Sequence, residues 1–384
     1  MGGGGKTWER LARGESGGLG GRLASVGLWG LSALYGGALQ VHHAGYRLGL
    51  ARRTRLPALV ISIGNLTVGG TGKTTATIGV ARWLTARGKR VAILSRGYRG
   101  SGERGTAVVS EGDGPLVDMR AAGDEPYMMA RALPGVSVLV GKDRRRTGRR
   151  AVEDLGAEVL VLDDGFQYQR LEKDIEIVLV DALAPFGYDF LVPRGLLREP
   201  PRHLARADAV WVTHSDLVCE RDFEAVRARV KELAPGARVW EARHAPIRLR
   251  SLAGEGRELA PEELRGRRVL ALSSVGNPAA FERTLEQMGA VLVGRARFPD
   301  HHGYTEGDLL GLTEGDGAAA EWVVTTEKDA VRLPVRLSVR LPMRLPAGEI
   351  GRAVWVLEVE LAGRNGGVGM AEELAWLLEA RGKI

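Results

Sequence analysis

The string Thr67-Val68-Gly69-Gly70-Thr71-Gly72-Lys73-Thr74 follows directly on the apolar run Leu59–Ile63. An apolar strand that enters a glycine-rich turn and leaves it through G-K-T is a phosphate-binding loop, and it marks a nucleotide enzyme. Gly69, Gly70 and Gly72 allow backbone N–H groups, with that of Thr71 between them, to turn inward around phosphate with no Cβ in the way. Lys73 is placed to reach the β- and γ-phosphates, and Thr74 to put its hydroxyl on Mg²⁺. The loop predicts a helix over Thr74–Arg87, whose N-terminus favours anions. Thr67 stands where the first glycine of G-x-x-x-x-G-K-[ST] is expected. A ligand-free glycine turn is the bland alternative; the order of strand, turn, G-K-T and helix speaks against it.

A second apolar strand, Val159–Leu162, ends in Asp163-Asp164-Gly165. On its own Asp-Asp-Gly is usually a turn. At the end of a strand downstream of a phosphate loop, Asp163 and Asp164 are candidates for the carboxylates that hold Mg²⁺, directly or through water.

From Leu59 to Thr213 apolar runs alternate with helical segments, which argues for a parallel sheet covered on both faces, with the active site at the strands' C-terminal ends. Expected strands are Leu59–Ile63, Val91–Ser95, Val136–Val140, Val159–Leu162, Ile175–Val180 and Ala209–Thr213; expected helices are Thr74–Arg87, Glu125–Ala132 and Arg144–Leu155. After a helix at Arg221–Leu233 a second, smaller α/β set follows, closed by an amphipathic helix at Ala371–Arg381. The resulting division is a membrane-associating segment at 1–50, a phosphate-loop domain at 51–238 and a smaller α/β domain at 239–384. The proline-punctuated basic stretch Arg332–Arg344 reads as an exposed loop or sheet edge.

Leu23–Tyr46 carries no Asp, Glu, Lys or Arg, and arginines flank it on both sides. Its length is near the roughly 20 residues that cross a bilayer, yet its five glycines, two serines, Gln40 and two histidines make it weakly hydrophobic. Trp29, Tyr35 and the flanking arginines suit a helix lying in the lipid interface, with a spanning helix and a plain core helix as alternatives. The formal net charge of +7 fits an anionic membrane surface or a phosphorylated substrate. No nucleic-acid module is recognisable, and the single cysteine, Cys219, excludes an intrachain disulfide. Neither a nucleic-acid nor a protein partner is expected.

Three further strings carry candidate chemistry. Asp124 in G-D-E-P is either a helix cap or a base beside the phosphate site. F-P-D-H-H brings His301 and His302 to a loop of the second domain. Arg198 and Glu199, in a proline-bounded loop, are candidate phosphate or sugar contacts.

Taken in order, S-I-G-N-L-T-V-G-G-T-G-K-T, L-S-R-G-Y, G-D-E-P, V-L-D-D-G-F-Q, L-R-E-P, V-G-N-P, F-P-D-H-H and T-T-E-K-D closely resemble the tetraacyldisaccharide 4′-kinase family of lipid A biosynthesis, over roughly Leu23 to Ala330. The resemblance implies transfer of the ATP γ-phosphate to the 4′-hydroxyl of a tetraacylated glucosamine disaccharide 1-phosphate. It also implies Mg²⁺ as cofactor and a peripheral or monotopic location at the cytoplasmic face of the bacterial inner membrane. By motif it makes Asp124 the catalytic base, supported by His301, with Lys73 and Thr74 on phosphate and metal. Thr75 and Tyr168 depart from the family's usual proline and histidine, and Phe186–Leu191 departs from its glycine-rich version. The competing reading is a membrane-associated phosphate-loop ATPase that uses hydrolysis as a switch. That class carries a lysine just before the paired glycines, where this chain has Val68. A GTPase is disfavoured by the absence of N-K-x-D or T-K-x-D.

Overall fold

The computed structural model describes residues 19–98, 100–252, 256–305, 307–308, 312, 319–333 and 354–383. Among the described residues the first element is helix α1 (Leu19–Arg47), followed by β1 (Leu59–Asn65), α2 (Lys73–Thr85), β2 (Val91–Ser95), β3 (Ala107–Ser110), α3 (Met119–Ala122), α4 (Asp124–Ala132), β4 (Ser137–Val140), α5 (Arg144–Glu153) and β5 (Val159–Asp163). It continues through β6 (Ile175–Asp181), β7 (Ala209–Thr213), α6 (Glu220–Leu233), β8 (Arg238–Ser251), β9 (Glu258–Leu259), β10 (Arg268–Ser273), α7 (Pro278–Gln287) and β11 (Val291–Arg297). It ends with β12 (Trp322–Thr326), α8 (Glu327–Ala330), β13 (Val354–Gly363) and α9 (Met370–Ala380).

The fold is α/β, built on one sheet in the order β11-β10-β12-β13-β8-β7-β6-β1-β5-β2-β4-β3, with β9 paired to β8 off that path. From β7 to β4 every pairing is parallel. Side chains alternate across it as a pleated strand requires. Ile61, Ile63 and Val161 face one way and pack with Val80, Ala81 and Leu84 of α2 and with Leu374 and Leu377 of α9. Val60, Leu160 and Leu162 face the other way and pack with Ala151 of α5. Both faces are therefore apolar, which is why these strands read as continuous hydrophobic runs.

The expected elements form within a few residues of their sequence bounds. The sequence reading missed β8, which joins the two halves. Arg238–Glu241 run parallel to β7, and the strand then continues antiparallel to β13 as far as Ser251. The ladder slips beside Pro246, where the pairing skips Ile247. That bulge is where a proline with no N–H can be tolerated. The boundary drawn at 238/239 falls at the first residue of this strand. Of the basic stretch Arg332–Arg344, the residues beyond 333 lie outside those described. Among the described residues no helix is long and apolar enough to cross a membrane.

Trp211 of β7 is fully buried and meets Trp240 of β8 edge-on at 4.9 Å and 73°. This contact sits where the two halves of the sheet join. Trp211→Ala is expected to cost about 3–5 kcal/mol, read as a clear drop in the urea unfolding midpoint. An unchanged midpoint would show that the junction is not where stability resides.

Candidate active site

The phosphate loop runs from the end of β1 to the start of α2. Gly72 caps α2 with φ 86°, and Gly69 has φ 114°; both conformations belong to glycine. The first backbone N–H groups of α2 have no partner within the helix and point at the cavity, where an anion would complete them. Asn65 Nδ2 donates to Thr71 Oγ1 at 3.0 Å, bracing the loop from within. Thr67 needs no glycine, because it lies in an extended bridge to Leu197 while Val68 N donates to Leu196 O at 2.8 Å. From the second half of the sheet the turn after β10 closes over the loop. A Cβ on Gly276 would lie 3.0 Å from Gly70 N.

Register places Asp163 beside Ile63, at the C-terminal ends of adjacent strands. Asp163 accepts from Ser95 Oγ at 3.0 Å and Thr77 Oγ1 at 3.4 Å. Burial raises its carboxyl to about 7, and the charges of Glu125 and Asp164 add to the rise. Asp164 has the left-handed φ of 53°, and Arg198 grips it with two bonds of 2.7 Å. Lys73 Nζ stands 3.8 Å from the same carboxylate. Burial would raise Asp164, but Lys73 and Arg198 outweigh it and hold the carboxyl well below the usual range. The guanidinium of Arg198 also reaches the side-chain and backbone oxygens of Asn65, so one arginine ties the carboxylate to the strand that feeds the phosphate loop.

These groups fit Mg²⁺. A hard cation takes carboxylate and hydroxyl oxygens, and Asp163 is a buried carboxylate crowded by two other acids. A cation there would offset the burial, and the added repulsion, that raise its pKa. Asp164, already paired with Arg198, suits an outer position.

Gly123, with φ 86°, is the N-cap of α4. The capping alternative for Asp124 therefore fails: it is the first helical residue, and its carboxylate turns into the cavity. His301 Nδ1 lies 3.0 Å from Asp124 Oδ2, and Arg332 Nε forms an ion pair with the same oxygen at 2.8 Å. Lys328 stands behind, 3.5 Å from His301 Nε2 and 2.9 Å from Glu125. With Nδ1–H donating to the carboxylate, Nε2 is left to accept from Lys328. Burial of Asp124 is outweighed by His301, Arg332 and Lys328, so its carboxyl titrates below the ordinary value. His301 itself has φ 62°, a strained backbone of the kind found at functional sites.

The groups meet in a cavity of about 510 Å³ lined by Gly69, Gly70, Thr71, Gly72, Lys73 and Thr74 of the loop. Asp163, Asp164, Asp124, His301 and Arg198 line it as well. Two sequence candidates lie elsewhere. Glu199 is buried beneath α1 with His203 at 2.6 Å and Arg206 at 2.8 Å. His302 stacks on Phe298 and pairs with Asp308. The sequence reading missed Lys328 and Arg332. Lys328 was visible in T-T-E-K-D without a role, and Arg332 was absorbed into the basic stretch. Tyr168, a departure from the family string, donates to Asp143 at 2.8 Å, ahead of α5.

Comparison with known proteins gives a consistent picture. The family model described as LpxK, tetraacyldisaccharide-1-P 4′-kinase, matches residues 24–370. A tetraacyldisaccharide 4′-kinase of Anaeromyxobacter dehalogenans strain 2CP-C is 50% identical over 315 residues, 82% of either chain. That of Syntrophus aciditrophicus is 46% identical over 292 residues, 74% of this chain and 78% of its own. The crystal structure of an "apo" form of LpxK from Aquifex aeolicus in complex with ATP superimposes with a TM-score of 0.68 and 31% identity, covering 91% of this chain and 97% of that one.

The raised Asp163 carboxyl gives the metal-free protein a defined pH response. The fold holds this proton more tightly than the unfolded chain does. Stability from this group is therefore fully present below about pH 4 and is lost as pH rises to about 7. In EDTA, thermal melts should fall across that window, and Asp163→Asn should flatten the slope. Parallel slopes in both proteins would contradict the assignment.

Proposed function

Because the chain belongs to the tetraacyldisaccharide-1-P 4′-kinase family, we propose that Asp124 is the base that receives the proton of the sugar hydroxyl during phosphoryl transfer. The protein is an ATP-dependent kinase of lipid A biosynthesis that phosphorylates the 4′-hydroxyl of a tetraacyldisaccharide 1-phosphate. The observation that carries the proposal is the Asp124–His301 contact at the mouth of the phosphate-loop cavity.

In this reading the loop's N–H groups and Lys73 hold the nucleotide phosphates, and Lys73 stabilises charge developing on the transferred group. The 4′-oxygen forms a bond to the γ-phosphorus as the bond from that phosphorus to the β,γ-bridging oxygen breaks, and ADP leaves. The hydroxyl proton passes to the Asp124 carboxylate. The lowered carboxyl pKa keeps Asp124 ionised and free to accept the proton, which the hydroxyl gives up only as its oxygen bonds to phosphorus. His301 and Arg332 fix the carboxylate's direction. Asp163 and the Thr74 hydroxyl would hold Mg²⁺, with Asp164 in an outer position; Mg²⁺ supplies neutralisation of the β- and γ-oxygens. In the division 51–238 and 239–384, the first part supplies nucleotide handling and Asp124. The second supplies His301, Lys328 and Arg332.

The helix α1 supports membrane association. Its protein-facing positions include the buried polar residues Ser32 and His43. Leu23, Trp29, Leu34 and Val41 point outward at 65%, 55%, 72% and 75% exposure. A helix that buries polar groups and exposes apolar ones is seated for lipid. The acylated substrate fits this placement, at the cytoplasmic face of the inner membrane and peripheral or monotopic.

Asp124→Asn is expected to lower kcat by about a hundredfold or more while ATP affinity stays within about twofold. His301→Ala should lower kcat by a smaller factor, and His302→Ala should leave it near the parent value. Retained turnover in Asp124→Asn would place the base elsewhere. A separate test addresses the membrane. Trp29→Glu with Leu34→Glu alters exposed side chains only, and should abolish most co-sedimentation with anionic vesicles while ATP binding is kept. Full pelleting of this variant would move the anchor off α1.

A further inference from the structure

The inner face of α1 does more than rest on the domain. Ser32, Tyr35, Gly36 and His43 recur at helical spacing, and each meets the segment between Leu191 and Glu199. Ser32 Oγ donates to Leu191 O at 2.8 Å and accepts from Arg194 N at 3.2 Å. Tyr35 OH donates to the backbone oxygen of Arg198 at 2.9 Å. A Cβ on Gly36 would already lie 3.0 Å from Leu191 Cδ1, so the helix sits close. Further along, His43 Nε2 lies 3.3 Å from the buried Glu199 carboxylate.

The same segment is bonded on its opposite side to the entry of the phosphate loop. Arg198 N donates to Leu66 O at 2.7 Å, Leu197 bridges Thr67, and Val68 N donates to Leu196 O at 2.8 Å. Arg198 and Glu199, being adjacent in an extended stretch, point to opposite sides. One side chain enters the phosphate cavity and grips Asp164, and the other goes under α1. This short strap is therefore held between the lipid-facing helix and the nucleotide site.

We propose that Tyr35 is a positioning residue for phosphoryl transfer: through the strap it fixes Arg198, and so the Asp164 carboxylate, making the seating of α1 and Mg²⁺-dependent nucleotide binding thermodynamically linked. The linkage runs both ways, because two ligands that bias one arrangement strengthen each other. Anionic vesicles should tighten binding of ATP in Mg²⁺, and ATP with Mg²⁺ should tighten vesicle binding. The proposal rests on the reading of Asp164 as a carboxylate of the Mg²⁺ site.

The test is equilibrium ATP binding to the full chain, in Mg²⁺ and in EDTA, for the parent, Tyr35→Phe and Arg198→Lys. Phenylalanine keeps the ring and its packing and removes one hydrogen bond, so ATP affinity in Mg²⁺ should weaken by about fivefold. Affinity in EDTA, the melting temperature and vesicle pelleting should stay near the parent values. Equal affinity of Tyr35→Phe and parent in Mg²⁺ would overturn the proposal. Equal losses in Mg²⁺ and EDTA with a lowered melting temperature would also overturn it, by reducing Tyr35 to a structural contact. Arg198→Lys, which loses the two-pronged grip, separates the two levels. If it weakens Mg²⁺-dependent binding and Tyr35→Phe does not, only the linkage fails. If neither variant does, the reading of Asp164 fails with it.

Discussion

The double hydrogen bond between Arg198 and Asp164 is the interaction on which the site depends. Three carboxylates, Asp163, Asp164 and Glu125, converge beside a lysine and a loop built to receive phosphate. Left alone they would repel one another and the incoming nucleotide. Arg198 holds Asp164 ionised and fixed in a left-handed backbone, and joins it to Asn65 at the end of β1. Asp163, buried and close to Glu125 and Asp164, is left with its pKa raised, chiefly by burial. A divalent cation bound beside Asp163 would offset both its burial and the nearby negative charge.

A second convergence sets the chemistry. Asp124 belongs to the first half of the sheet, whereas His301, Lys328 and Arg332 come from loops and a short helix of the second. The Asp124 carboxylate gains these partners only when both halves are in place. The long strand β8 keeps them so, since it belongs to the parallel ladder at one end and the antiparallel ladder at the other. Gly276 against Gly70 shows how closely the second half approaches the phosphate loop.

Much of this was legible in the sequence, for physical reasons. Doubly covered parallel strands are continuous apolar runs, so β1, β2, β5, β6 and β7 could be read directly, and G-K-T fixed the start of α2. The strand β8 hid because its residues R-V-W-E-A-R-H-A-P-I-R-L-R-S follow neither a continuous apolar run nor a strict alternation and include Pro246. The direction of Glu199 was also hidden. Adjacent residues of an extended strap diverge, and nothing local says which of Arg198 and Glu199 faces the nucleotide. Arg332 looked like the start of a basic surface stretch, while the fold buries it against Asp124 and Asp329. The ambiguous hydropathy of α1 becomes intelligible once its polar face is seen bonded to the strap and its apolar face left outward.

The most direct measurement is to incubate the full-length protein with γ-labelled ATP, Mg²⁺ and detergent-dispersed tetraacyldisaccharide 1-phosphate, and to map the label on the lipid. The account predicts one new phosphate on the 4′-hydroxyl, with the 1-phosphate retained and labelled lipid matching ADP formed. Label released only as free phosphate, with the lipid unchanged, would contradict it.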